Sequence, residues 1–307
     1  MTTNRDKEIK IAVVGDVHYA WEAEDEVALS RLGVDLVLFV GDFGNESVEV
    51  VRAIASLDIP KAAILGNHDA WYSASEWGRK QCPYDREKED RVQQQLDLLG
   101  ACHVGYGKLD FPELNLSVVG SRPFSWGGEV WKNSDFYQKR FGVKNFDEST
   151  ARIVAAAQSA TYETIIFLGH NGPLGLGDRA SDPCGKDWEP IGGDYGDVDF
   201  QSAIAQSRDS GKIIPLVTFG HMHHWLRHSD LPRRAIHVAE GTVYLNAASV
   251  PRIMQEESDR LRNFSLVSLQ AGVVSEISLV WVGPDYAVAS KEILYRRTES
   301  VIKPFAS

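Results

Sequence analysis

The chain has 307 residues, of which 43% are hydrophobic and 24% are charged, and its formal net charge is −11 at pH 7. This composition is typical of a globular protein with a large core, and it excludes an extensively disordered chain. The negative charge argues against nucleic acid as a partner, because binding to a phosphate backbone needs clustered Lys and Arg side chains.

The N-terminal stretch and the cysteines bear on where the protein works. Residues 1–16 pass from a charged stretch into an apolar run, without the apolar core or cleavage site of a signal peptide. No run of 18 apolar residues occurs, so we expect no membrane span. The three cysteines form no C-x-x-C pair, which fits a reducing compartment. We therefore expect a cytoplasmic protein without a membrane partner.

In the first third of the chain, patterns of buried strands alternate with helical patterns. We predict strands in 9–16, 34–42 and 61–69, and helices in 23–33 and 46–57. Gly33 is expected to end the first helix, and Pro60 interrupts the chain after the second. Successive strand and helix units of this kind indicate a parallel sheet.

The pattern is less regular in the middle of the chain and returns after Thr150. We predict helices in 85–100, 150–160 and 198–211, strands in 114–120, 164–170 and 212–221, and an aromatic, Gly-rich loop in 121–131. A closing β meander is expected in about 240–283. No linker divides the chain, so residues 1–307 are predicted to form a single α/β domain with two packed sheets.

Five of the apolar runs end in residue types that bind metal ions, and each of these motifs follows a glycine. The residues are Asp16, His18, Asp42, Asn67, His68, His170, His221 and His223. Open α/β sheets gather their ligands at the carboxyl ends of their strands. We therefore expect these side chains to meet at one site.

The spacing and the chemistry of these residues sharpen the expectation. Residues two apart on an extended segment point to the same side, so His221 and His223 can converge whereas His224 should point away. A mixture of carboxylate, imidazole and amide donors suits Mn, Fe, Zn or Ni. There are more donors than one ion needs, so two divalent ions are expected, and Asp42 can bridge them through its two oxygens. Mn is the first expectation, and Fe, Zn, Ni or Mg are alternatives.

The complete motif series identifies a family. The series D-x-H, GD, GNHD, GH and GHxH runs in order from Asp16 to His223, within residues 9–225. It resembles the series of the calcineurin-like metallophosphoesterases. The resemblance implies the metallo-dependent phosphatase fold, a four-layer α/β/β/α sandwich of two mixed sheets. The segment GHNGPLGLG also resembles a branch of the family found in cyanobacteria and plastids.

The resemblance also implies a role for each residue. One ion is expected on Asp16, His18, Asp42 and His223, and the other on Asp42, Asn67, His170 and His221. A hydroxide that bridges the ions is expected to attack the phosphorus of a phosphomonoester or phosphodiester of a small molecule or nucleotide. His68 would face the substrate as the catalytic residue, and Asp69 would orient its surroundings.

The chain departs from the phosphoprotein phosphatase branch after Asp42. That branch carries an Asp and then an Arg where this chain has Asn45 and Glu46. Protein dephosphorylation in the style of that branch is therefore not expected. Asn45 can still hydrogen-bond His68 beside the substrate, although it brings no charge. Asn45 and Arg122 are the candidates for substrate binding, and an ordinary surface arginine is the alternative for Arg122.

Two loops and two other functions complete the expectations. The long segment 171–197 is expected to shape the substrate pocket. Trp71, Tyr72 and Trp77 either line a pocket for a ring-bearing substrate or only pack their own loop. A nuclease is the first alternative function, and the acidic balance argues against it. The second is a non-catalytic scaffold, against which the complete ligand set argues.

Overall fold

The computed structural model describes residues 8–256 and 259–298, in which strands form two sheets and helices cover them. The strands are β1 (Ile9–Val14), β2 (Leu36–Phe39), β3 (Lys61–Ala63), β4 (Lys108–Phe111), β5 (Leu116–Gly120), β6 (Thr164–Leu168), β7 (Ile213–Phe219), β8 (Ile236–Ala239), β9 (Thr242–Asn246), β10 (Ile253–Glu256), β11 (Asp259–Gln270), β12 (Val273–Val282) and β13 (Val288–Arg296). The helices are α1 (Ala23–Leu32), α2 (Val48–Ala55), α3 (Glu76–Lys80), α4 (Arg91–Leu99), α5 (Ser134–Phe141), α6 (Phe146–Ser159) and α7 (Val198–Asp209).

Both sheets are mixed. The first has the order β13-β12-β11-β1-β2-β3, with β10 beside β11, and β1, β2 and β3 run parallel. The second has the order β4-β5-β6-β7-β9-β8, in which β5, β6, β7 and β9 run parallel. Each sheet therefore contributes a set of parallel strands whose carboxyl ends lie at one edge.

Alternation along the strands explains why the sheets form inner layers. In β1, Ile11 and Val13 pack between the two sheets, whereas Ala12 and Val14 pack against the outer helices α1 and α2. Successive side chains of a strand point to opposite faces, so a strand that is apolar throughout needs cover on both sides.

The second sheet follows the same rule. In β6, Ile166 and Leu168 face the first sheet, and Ile165 and Phe167 face α6 and α7. The layers are therefore helices, sheet, sheet and helices, which confirms the expected four-layer α/β/β/α sandwich. Local signals fix the helix ends: Gly33 takes φ 64° after α1, and the Asn145 side chain accepts a hydrogen bond from Glu148 N at the start of α6.

The segment expected as a closing meander is divided between the two sheets. β9 pairs in parallel with β7 in the second sheet, whereas β10 to β13 form an antiparallel run in the first. This run continues to Arg296, beyond the expected end at about residue 283. Strand propensity is local, so it could not indicate which sheet each strand joins.

The described residues 8–256 and 259–298 contain no helix that is long and apolar enough to cross a membrane.

Candidate metal centre

The residues expected to bind metal follow five parallel strands and meet at one end of the sandwich. Their donor atoms form three overlapping groups, and within each group all atoms lie within 4.8 Å of one another. The groups are Asp16, His18 and His223; His18, Asp42 and His68; and Asp42, His170 and His221. Asn67 Oδ1 joins them, at 2.8 Å from both His170 Nε2 and His221 Nδ1.

The turns that carry these side chains are unusual in conformation. His18, Asp42 and His221 have φ values of 43°, 52° and 66°, in the left-handed region that side chains disfavour. Strained residues of this kind cluster at functional sites, where the surrounding structure holds them. Here the strain lets the chain bend back at once after each strand.

Two backbone amides hold the carboxylates in place. His221 N donates to both oxygens of Asp16, at 3.1 and 3.0 Å, and His68 N donates to Asp42 Oδ1 at 2.8 Å. Each carboxylate is thus oriented by a residue that follows another strand.

The glycines before the ligands leave room for these carboxylates. A Cβ atom on Gly66 would lie 2.3 Å from Asp42 Oδ1, and one on Gly220 would lie 2.1 Å from Asp16 Oδ1. Any side chain at these positions would displace a ligand of the neighbouring strand. The glycines that mark the motifs in the sequence are therefore required by close packing.

Asp69 ties two of the loops together below the cluster. Its oxygens accept from Phe43 N at 2.9 Å and from Gly66 N at 2.7 Å. The side chain is buried and, among the described residues, lies outside the three groups that could hold a metal ion. Through these two hydrogen bonds Asp69 joins the loops that follow β2 and β3.

The donor chemistry of the cluster fits a divalent cation. His170 Nδ1 donates to Val40 O at 2.8 Å, which leaves a lone pair on Nε2 in the neutral ring. That Nε2 faces Asn67 Oδ1 at 2.8 Å and Asp42 Oδ1 at 3.3 Å, and both oxygens are also acceptors. A divalent cation between such acceptor atoms would offset their mutual repulsion.

The two buried carboxylates point to the same conclusion. Burial, and next the charge of Asp16, raise the pKa of Asp42 well above its ordinary value. Burial also opposes ionisation of Asp16, but the hydrogen bond from His223 and the nearby histidines lower its pKa. Without a cation, a second negative charge is therefore unfavourable here. A divalent ion would allow both groups to ionise.

His68 lies at the edge of the cluster with its ring fixed on two sides. Nδ1 lies 2.6 Å from Asn45 Oδ1, and Nε2 lies 4.0 Å from Asp42 Oδ2. The ring stacks on Trp71, with centroids 4.5 Å apart and an interplanar angle of 18°. Burial, and next the charge of His18, lower the pKa of His68 to about 3.

Glu46 fixes the turn that carries His68. Its backbone N donates to His68 O at 3.0 Å, and its buried carboxylate accepts from Tyr72 N at 2.8 Å and from the Tyr84 hydroxyl. Burial raises the pKa of Glu46. The residue that replaces the Arg of the phosphoprotein phosphatase branch thus has a structural role.

A cavity of about 360 Å³ opens over the cluster. From the cluster it is lined by Asp42, Asn67, His68, His221 and His223. The rest of its wall is aromatic or charged and comprises Trp71, Trp126, Lys132, Asp187, Trp188, Tyr195, Trp225, Arg227 and Arg233, beside Met222. Most of these residues were not predicted from the sequence to line a pocket. The only indication was that 121–131 and 171–197 have the pattern of irregular loops.

The loops that were expected near the pocket contribute unequally to this cavity. Segment 171–197 supplies Asp187, Trp188 and Tyr195, and Trp71 comes from the loop after β3. Tyr72 and Trp77 are not among the described residues that line it. Among the described residues, His224 lies outside the three groups that could hold a metal ion.

Arg122 is placed differently from the expectation that it binds substrate. It is only 3% exposed and is not among the described residues that line the cavity. Its guanidinium donates to Asp199 Oδ2 at 2.9 Å and to Asp197 Oδ1 at 2.7 Å. As a correction, Arg122 belongs to a buried ion-pair network that holds Asp197, the last residue of segment 171–197.

Comparison with known proteins gives a family and a fold. The model of the calcineurin-like phosphoesterase family matches residues 9–225. No curated protein sequence matches the chain significantly. One crystal structure superposes with a TM-score of 0.51 at 9% identity, covering 94% of this chain and 100% of the other, which supports the fold.

Two further solved structures are less similar. A protein of Thermus thermophilus has a TM-score of 0.48 at 12% identity, covering 86% of this chain and all (100%) of its own. A dimetal phosphatase from Danio rerio has a TM-score of 0.47 at 10% identity, covering 94% of this chain and 99% of its own.

Proposed function

This chain belongs to the calcineurin-like phosphoesterase family, and we propose that it is a dinuclear metal-dependent phosphohydrolase that acts on a small phosphorylated molecule. Membership of the family carries the class of reaction and the use of metal ions. The finer proposal rests on one observation, the convergence of acceptor atoms from five strand ends around Asp42.

Asp42 supports the proposal of two ions because it belongs to two of the three groups of possible metal ligands. Its Oδ1 lies 3.3 Å from His170 Nε2, and its Oδ2 lies 3.9 Å from His18 Nε2. One oxygen is thus available to each side of the cluster. We assign one ion to Asp16, His18, Asp42 and His223, and the other to Asp42, Asn67, His170 and His221.

The ions and the chain have separate tasks in the proposed reaction. When bound, a pair of divalent ions supplies an activated water and positive charge for the phosphoryl oxygens. The chain holds the ligands rigidly through the amides of His68 and His221. Mn suits the mixed oxygen and nitrogen donors, and Fe, Zn, Ni or Mg are the alternatives to be tested.

His68 is the proposed catalytic residue. Asn45 accepts from Nδ1 and so leaves Nε2 facing the cavity. A phosphate anion in the cavity favours the protonated ring by its charge. Nε2 can then donate to the phosphoryl group or to the leaving oxygen.

The cavity and the charge of the protein support a small substrate. A volume of about 360 Å³ falls in the range of small-molecule sites. The net charge of −11 disfavours a nucleic acid. We also propose a cytoplasmic location, since Cys82, Cys102 and Cys184 are all free.

A paired assay tests the proposal. The metal-free protein, loaded in turn with Mn, Fe, Zn, Ni and Mg, is incubated with p-nitrophenyl phosphate and with bis-p-nitrophenyl phosphate. We expect hydrolysis of at least one substrate, and a decrease of about 100-fold or more in kcat for His68→Ala. Elemental analysis should find two ions in each chain. Hydrolysis of neither substrate with any metal would overturn the proposal.

A further inference from the structure

The cavity wall is unusually rich in indole rings. Four of the eight tryptophans of the chain line it, namely Trp71, Trp126, Trp188 and Trp225, and Tyr195 adds another ring. Trp225 is 57% exposed, so its ring is not accounted for by packing in the core. Exposed aromatic rings that gather in a concave site are typical of ligand recognition.

Some of these rings form a row that begins at the proposed catalytic residue. Trp71 stacks on His68, and Trp126 stacks on Trp71 with centroids 5.4 Å apart and an interplanar angle of 26°. Planar groups of similar orientation thus extend from the cluster into the wall of the cavity. A ligand ring bound against them would stack in the same way.

Trp126 also has an unsatisfied hydrogen-bond donor. Its Nε1 is buried and has no acceptor among the described residues. A buried donor without a partner is unfavourable, and native structures rarely leave one unexplained. The buried Nε1 is not open to a ligand, so the role of Trp126 in the cavity wall rests on its ring and on its stacking with Trp71.

The cavity wall also contains cations, whose charge is opposite to that of a phosphorylated ligand, and two of them lie beside aromatic rings of the wall. Lys132 Nζ lies 4.7 Å from the centroid of the Tyr195 ring, and the Arg227 guanidinium lies 5.4 Å from that of Trp188. The Arg227 side chain is 66% exposed, so an incoming anion can reach it. Such cations attract an anion while the rings receive its apolar part.

We propose that this cavity binds a phosphate ester that carries a planar aromatic ring, as a nucleotide does. The phosphate lies at the cluster of proposed metal ligands. The ring stacks against the tryptophan wall, which consists of Trp71, Trp126, Trp188 and Trp225, and Trp126 is a residue that determines specificity. The inference rests on the proposed function of the same site and adds the class of substrate to it.

A matched pair of ligands tests for the ring site independently of catalysis. The probes are the phosphonate analogues of adenosine 5′-monophosphate and of ribose 5-phosphate, in which a P–C bond prevents hydrolysis. Their affinities for the Mn-loaded protein are measured by calorimetry. We expect the adenosine analogue to bind at least about tenfold more tightly, as stacking of one base on an aromatic side chain provides.

Variants assign the preference to the tryptophan wall. Trp126→Leu should remove most of the preference and leave the affinity for the ribose analogue unchanged. Trp281→Leu is the control, because Trp281 lies in β12 and not in the cavity wall. Thermal melts verify that both variants fold. Equal affinities of the wild type for the two analogues, or an equal loss of both in Trp126→Leu, would overturn the inference.

The p-nitrophenyl assay separates this inference from the proposed function. A protein that hydrolyses these esters but binds both phosphonates equally keeps the function and loses the ring site. A protein that prefers the adenosine analogue but hydrolyses nothing keeps the ring site and loses the proposed reaction.

Discussion

The ligand cluster and the aromatic wall of the cavity share one space but have different supports. Asp16 and Asp42 follow buried parallel strands and are at most 1% exposed. Trp188 and Trp225 lie in irregular segments, and Trp225 is 57% exposed. Residues that directly follow rigid strands keep the fixed geometry that the chemistry requires. Loops can change in sequence and conformation without disturbing the sheets. The cluster therefore fits the general reaction, and the wall fits the choice of substrate.

The largest expected effect would break the cluster itself. Asp42→Ala removes the residue shared by two donor groups, so we expect both ions and all measurable hydrolysis to be lost. Metal content and p-nitrophenyl ester hydrolysis measure this. The exposed Asp58, changed to Ala, is the matched control. Retention of two ions by Asp42→Ala would contradict the proposed bridging role.

The second prediction concerns the buried ion pairs between Arg122 and the end of segment 171–197. Arg122→Ala leaves Asp197 and Asp199 buried without their cation, so we expect about 3–5 kcal/mol less stability towards urea. Arg86→Ala, at an exposed position, should change the stability little. If Arg122→Ala kept its stability but lost substrate affinity, Arg122 would be a substrate-binding residue and not a structural one.

The third prediction removes the metal ions and leaves the chain intact. Without cations, Asp16 and Asp42 repel each other and acceptor atoms face one another. Each of the two metal ions, when present at 100 times its Kd, should stabilise the folded protein by about 2.7 kcal/mol, and a chelator should remove the contribution of both. Thermal melts with and without chelator measure it. The Asp42→Ala variant should not respond, and an equal response would place the metal elsewhere.

The smallest expected effect sharpens the role of His68. Burial lowers the pKa of His68, whose Nδ1 lies beside Asn45. The variant Asn45→Asp places a negative charge there, which favours the protonated ring and raises the pKa of His68. The protonated ring then persists to higher pH. We expect the limb of the pH profile of kcat that reports loss of this proton to move up by about 1 unit. An unmoved limb would argue against proton donation by His68.

Sequence patterns were sufficient for the parts of the fold in which local and tertiary preferences agree. The apolar runs of β1, β2 and β6 and the helices α1, α4 and α7 lie within or close to their expected ranges. α3, α5, β4, β8 and β13 were not predicted. β13 is mostly exposed, and without a buried face it shows little apolar alternation.

The ligand motifs could be read from the sequence because they are local. A glycine, a turn and a polar residue follow each buried strand, and the carboxyl ends of parallel strands lie together in any sheet of this kind. The chain alone thus determined the family, the layered sandwich and the residues expected to meet at the metals.

Only the tertiary structure decided the environment of the loops. Arg122 and Asp199 are 77 residues apart in the chain, and no periodicity predicts that they pair in the interior. Likewise, Trp71, Trp126 and Trp225 come from separate segments and form one wall only after both sheets have packed. Irregular segments have no repeating geometry that links spacing to direction, so long-range contacts determine where their side chains point.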